Sequence, residues 1–186
     1  MPDPVTRRYA QLTQTDDVKA RQEHHGVAEQ AQRMADAPVE DTRLSAREAD
    51  FIARRDSFYM ATVLQNGWPY LQHRGGPAGF LKVIDDRTLA FADYRGNLQL
   101  VSTGSVQRDD RVALFFMDYP NRQRLKVMAH AEVLDADDDP ELLARVEDPD
   151  YRARVERIVV LKVAAFDWNC PQHITPRYTT EELPAT

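Results

Sequence analysis

Between Asp56 and Leu134, cationic and amide side chains recur at the ends or flanks of apolar runs: Arg74, Lys82, Asn97, Gln99 and Arg124. Fixed positive charge beside amide donors suits an anionic, phosphorylated ligand. Arg74 opens the run Gly75-Gly76-Pro77-Ala78-Gly79, where the backbone can approach a ligand closely or take positive φ. The same run would equally make a tight corner between strands, and it matches neither the P-loop nor the Rossmann spacing. Asn97 is placed to cap a helix beginning near Leu98, with Gln99 as a donor in its first turn; a plain helix cap is the alternative. Asp93 and Tyr94 end a strand-like run, offering a carboxylate and a phenol to a bound ring or serving as turn residues. Near the C-terminus, Trp168, Cys170, His173 and Arg177 crowd a segment stiffened by Pro171 and Pro176. That segment reads either as a strap closing the core or as a source of ligand contacts from Trp168 and Arg177.

Other chemistries find less support. His24 and His25 sit in a polar region, and His73, His130 and His173 show no compact ligand spacing, so no metal site is expected. The single cysteine, Cys170, excludes an intrachain disulfide or a CxxC motif and is expected to be a free buried thiol. A formal net charge of −6, from 30 acidic residues against 24 Lys and Arg, disfavours nucleic acid and anionic membranes as partners. No apolar run approaches the roughly 18 residues of a membrane span. The polar N-terminal stretch lacks the apolar centre of a secretory signal, so a cytoplasmic location is the expectation.

The elements that must position these residues are mostly strands. Residues 1–42 are polar and read as a helical arm plus linker ending in Ala37-Pro38-Val39, suited to lie on a partner subunit; the domain proper covers residues 43–186. Ser45 and Glu48 have capping-box spacing ahead of a short helix. Strands are predicted at Phe58–Leu64 and Trp68–Gln72 around an Asn66-Gly67 turn. Two more hairpins follow, Phe80–Ile84 with Thr88–Ala92 and Val112–Met117 with Leu125–Leu134. A short helix is expected from Asn97 to Val106, with Leu98, Val101 and Val106 as its apolar stripe, and another from Asp137 to Glu147. Ile158–Phe166 is a further β-rich run before an irregular tail. Six or more antiparallel strands with few helices give a mainly β fold, a closed or nearly closed barrel with flanking helices.

With these residues assembled, the chain resembles the pyridoxamine 5′-phosphate oxidase-like family of FMN-binding split barrels over about residues 45–177. The resemblance is carried by the RGGPAGF loop, the DYRGN segment, the FFMDYPNRQRL strand pair and the WNCPQHI tail. It implies FMN as cofactor and a flavoprotein, an oxidoreductase acting on a small molecule with a nicotinamide or oxygen as redox partner. A non-catalytic flavin-binding or sensor protein is the alternative, as is a deazaflavin or haem on the same barrel. It also implies a homodimer with cofactor sites at the interface. Lys82 matches the family's flavin-contacting Lys, and Arg74 its Arg, with Gly75–Gly79 as additional residues between them. Asn97, Leu98 and Gln99 align with a Ser-Arg-Lys phosphate segment whose charges are missing here, Arg124 replaces a flavin-contacting Gln, and Trp168 and Arg177 resemble residues that reach the cofactor from the other subunit.

Overall fold

A computed structural model describes residues 4–36, 43–168, 170–180 and 182–183. Three N-terminal helices, α1 (Pro4–Thr13), α2 (Asp16–His24) and α3 (Ala28–Asp36), precede α4 (Ala46–Ala53). The strands are β1 (Ser57–Val63), β2 (Pro69–Gly75), β3 (Lys82–Asp85), β4 (Thr88–Tyr94), β5 (Arg111–Asp118), β6 (Gln123–Asp135) and β7 (Val155–Trp168). Helices α5 (Val101–Val106) and α6 (Pro140–Val146) fill the longer connections.

All pairings are antiparallel, in the order β2-β1-β5-β6-β7-β4-β3. Alternation along each strand sends one set of residues inward. Phe58, Met60, Leu89, Phe91, Leu114, Phe116, Leu125 and Val127 form the main core. At its centre Phe58 stacks on Phe80 with ring centroids 5.6 Å apart and meets the edge of Phe91 at 5.5 Å. Burying each such ring contributes about 2 kcal/mol. A second cluster on the outer face, around Ala90, Ala92, Ile158 and Val160, is covered by Leu142, Leu143 and Val146 of α6.

The three hairpins form where the turn residues put them, with Gly67 at φ 86° in the first. Strand β3 starts later than expected, at Lys82, because the Phe80 amide donates to the Pro77 carbonyl and folds 77–80 into a turn. Helix α6 is shorter than Asp137–Glu147: Asp139 caps it by accepting from Leu142 N at 2.9 Å, and Pro140 occupies its first turn. Ser45 and Glu48 form the expected capping box on α4. Helix α1 lies against β7 of its own chain, with Tyr9 under the Lys126 ammonium. The Ala37-Pro38-Val39 linker lies outside the described residues. Among the described residues no helix is long and apolar enough to cross a membrane. Cys170 is exposed, not buried, because it lies in the irregular segment beyond β7.

Candidate functional site

The two ends of the sheet, β2 and β3, are not paired with each other. Strand β3 covers β4 only as far as Ala90, so Ala92–Tyr94 run beyond it toward the end of β2. Arg74 shares the inward face with its partner Phe58, and Asp93 shares it with Phe91 two residues earlier. The Arg74 guanidinium therefore reaches across the opening, donating to Asp93 Oδ1 at 2.7 Å. Arg157, paired in register with Asp93 from β7, donates its Nε to the other carboxylate oxygen at 2.9 Å.

These residues form one wall of a small cleft. The opposite wall is the segment from Gly96 to Thr103, including Asn97 and Gln99. Its volume is about 50 Å³, against the roughly 300–1,000 Å³ of a pocket that encloses a whole ligand. One chain thus offers room for a phosphate-sized group. The chemistry fits: Arg74 lines the cleft with a fixed positive charge, Asp93 occupies only part of its donor fork, and its buried Nε has no hydrogen-bond partner.

The expected helix cap at Asn97 does not form. Helix α5 begins at Val101, and Leu98 and Leu100 adopt φ of 56° and 52°, left-handed conformations that prevent a helix from starting at Leu98. Asn97 Oδ1 instead accepts from Gln99 N at 3.2 Å, closing a local turn, and Gln99 lies ahead of the helix. Leu98, expected in an apolar stripe, is exposed. Both leucines are exposed, and the left-handed backbone at each is strained for a residue with a side chain.

The cleft gathers Arg74, Asp93, Tyr94, Asn97 and Gln99. Tyr94 contributes one edge of the wall, but its ring packs outward on Tyr151 with centroids 5.0 Å apart. Burial, with the Asp148 carboxylate next in importance, raises the phenol above its ordinary pKa, and its hydroxyl has no partner. The remaining predicted residues lie elsewhere. Lys82 pairs with Ala90 on the outer face, opposite to Arg74. Arg124 pairs with Met117 near the β5–β6 turn, its buried Nε unpartnered. Arg177 stacks on Tyr119 of that same turn, 4.8 Å from the ring centroid. Trp168 packs edge-on against Phe51 and donates its indole N–H to Glu48 Oε1 at 2.7 Å.

The glycine loop is a corner. Gly76 and Gly79 donate to the Asp56 and Arg55 carbonyls at 3.0 and 2.9 Å, so the loop is tied to the α4–β1 connection, away from the cleft. A Cβ at Gly76 would fall 2.8 Å from Phe80, so close packing on the core explains that glycine. Arg157 is the residue that sequence reasoning passed over. It sits among Arg152, Arg154 and Glu156, a run that reads as a solvated surface, and only the β4–β7 register puts it opposite Asp93. Among the described residues no cluster of His, Cys, Asp and Glu is arranged to hold a metal.

A sequence model described as pyridoxamine 5′-phosphate oxidase matches residues 44–169. No curated protein matches the chain. Among solved structures the chain is similar to a Lactobacillus delbrueckii protein provisionally assigned as a pyridoxamine 5′-phosphate oxidase, at 24% identity and TM-score 0.52, covering 69% of this chain and 97% of that one. It is similar also to an FMN-binding protein from Syntrophomonas wolfei, at 14% identity and TM-score 0.51, covering 64% and 82%. HupZ of Group A Streptococcus matches at 13% identity and TM-score 0.52, covering 73% and 99%. Likeness at these identities is likeness of fold, and the fold shared is a split barrel.

Proposed function

Because the chain belongs to the pyridoxamine 5′-phosphate oxidase family, we propose that it is an FMN-binding flavoprotein, an oxidoreductase in which Arg74 holds the cofactor phosphate. The observation that carries this reading is the mostly buried Arg74 guanidinium, which lines the cleft, is fixed there by Asp93 at 2.7 Å and keeps donors beyond that bond. An anion in the cleft accepting from the remaining donors of that guanidinium would offset the cost of holding its charge away from water. Neutral flavin without its phosphate would gain nothing there.

Bound FMN would supply the redox chemistry, and the protein would supply orientation and charge. In that role Asn97 and Gln99 border the phosphate end, and Asp93 keeps the two guanidiniums apart and aimed. The cleft is too small for an isoalloxazine, so the ring would extend onto a surface completed by a second copy. A two-fold homodimer answers this need, because a self-complementary contact gives each site residues from both chains. Arg124 and Arg177, grouped at the β5–β6 turn and away from the cleft, are the residues proposed to reach the partner's flavin; Lys82 and Trp168 are secondary candidates on the same footing.

The visible absorbance spectrum of the purified protein, with mass identification of the ligand released on denaturation, tests the cofactor. Stoichiometric FMN is expected, and Arg74→Ala lowers that content. A colourless protein that fails to take up added FMN would sink the reading. Rapid reduction of the bound flavin by NADH or NADPH is expected of the oxidoreductase; a flavin that neither reduces would move the protein to the non-catalytic class.

A further inference from the structure

Arg74 and Arg157 are the only cationic side chains lining the cleft among the described residues. The loop facing them contributes Asn97, Leu98 and Gln99, which carry no charge. We propose that Arg157 is the phosphate-selecting residue of this cleft, supplying from strand β7 the second positive charge that the loop lacks. The inference rests on the reading that FMN binds with its phosphate here, and it assigns the phosphate specificity to a strand residue that neither motif nor spacing indicates.

The geometry separates this role from a simple ion pair. Asp93 divides its oxygens between the two guanidiniums, accepting from Arg74 at 2.7 Å and from Arg157 at 2.9 Å. Arg157 also donates Nη1 to Glu156 Oε2 at 3.3 Å, and Glu156 in turn meets Arg95 at 3.6 Å. Each guanidinium carries five N–H donors, so neither is saturated by these contacts. With Glu156 and Arg95 counted, three cations meet two carboxylates and leave a net positive charge, carried at the cleft by Arg74 and Arg157. The Arg74, Arg157 and Asp93 side chains are only 13%, 15% and 9% exposed, so that charge is weakly screened. A phosphate monoester, close to doubly negative at neutral pH, complements it, whereas the uncharged ribityl end of riboflavin does not.

If Arg157 served only to hold Asp93 in place across the β4–β7 pair, its loss would weaken both flavins alike. Fluorescence titration of the full-length apoprotein with FMN and with riboflavin distinguishes the two roles. Arg157→Gln is expected to weaken FMN binding at least about tenfold while riboflavin affinity changes by less than about twofold. Arg157→Lys keeps the charge, recovers part of the FMN affinity, and carries the test should the Gln variant fail to fold. Equal losses for both flavins, or no loss for FMN, would overturn the assignment while leaving the FMN reading intact. Wild-type protein that binds neither flavin would overturn both.

Discussion

Asp93 and Tyr94 are consecutive, yet strand alternation gives them opposite environments and opposite consequences when altered. Asp93 faces inward and neutralises part of the charge on Arg74 and Arg157. Asp93→Ala would leave two mostly buried guanidiniums near each other without their shared carboxylate, at a cost of about 3 kcal/mol. Urea denaturation should show that loss as a lower midpoint with an unchanged slope. Tyr94 faces outward, and its buried hydroxyl is unpartnered. Tyr94→Phe removes that unsatisfied group and keeps the ring, so it should raise stability by about 1 kcal/mol. The pH dependence follows from the raised phenol pKa, caused first by burial and then by Asp148. The unfolded chain releases this proton near the ordinary value of 10.0, before the folded chain does. The contribution is therefore intact below that pH and lost as pH rises through the folded pKa. The decline in stability between the ordinary and the raised pKa should be shallower in Tyr94→Phe than in the wild type.

At the scale of elements, α4 is locked to the end of β7 through one carboxylate. Glu48, 2% exposed, accepts from the Ser45 amide at 3.0 Å as half of the capping box and from the Trp168 indole at 2.7 Å. Glu48→Ala removes these two bonds and a third from the Ser45 hydroxyl, and is expected to cost about 3 kcal/mol. The freed Trp168 should shift its fluorescence to the red, while a variant such as Asp50→Ala, on the exposed side of α4, should leave it unchanged. The capping box was legible in the sequence because it is local, and so were the hairpins, whose Asn66-Gly67 and Tyr119-Pro120-Asn121 turns dictate where the chain reverses. Tertiary relations were less so. Asn97 has the residue type of a helix cap, but left-handed Leu98 and Leu100 delay the helix. The glycine loop has the composition of a ligand loop, but its amides belong to the α4–β1 connection. Arg157 acquires meaning only from a strand pairing that spans 64 residues. Sequence patterns thus recovered what neighbouring residues decide, and missed what register and packing decide.

At the scale of the whole molecule, one chain separates residues that a single cofactor would need to touch together. Arg74 lies at the cleft beside Asp93, while Arg177 stacks on Tyr119 at the β5–β6 turn. If each flavin site draws Arg74 from one protomer and Arg177 from its partner, the two defects complement in a particular way. An Arg74→Ala homodimer and an Arg177→Ala homodimer each carry two damaged sites. A mixed dimer concentrates both defects in one site and leaves the other whole. Refolding the two variants together should therefore restore about a quarter of wild-type FMN content, since random pairing makes half of the dimers mixed and each holds one intact site. Sites built within single chains would give no such recovery, because every chain keeps its own defect whatever its partner. Flavin content of the co-refolded pool, measured beside that of each variant refolded alone, decides between them. Recovery would make the split barrel half of an active unit; its absence would mean that no flavin site pairs Arg74 of one protomer with Arg177 of its partner.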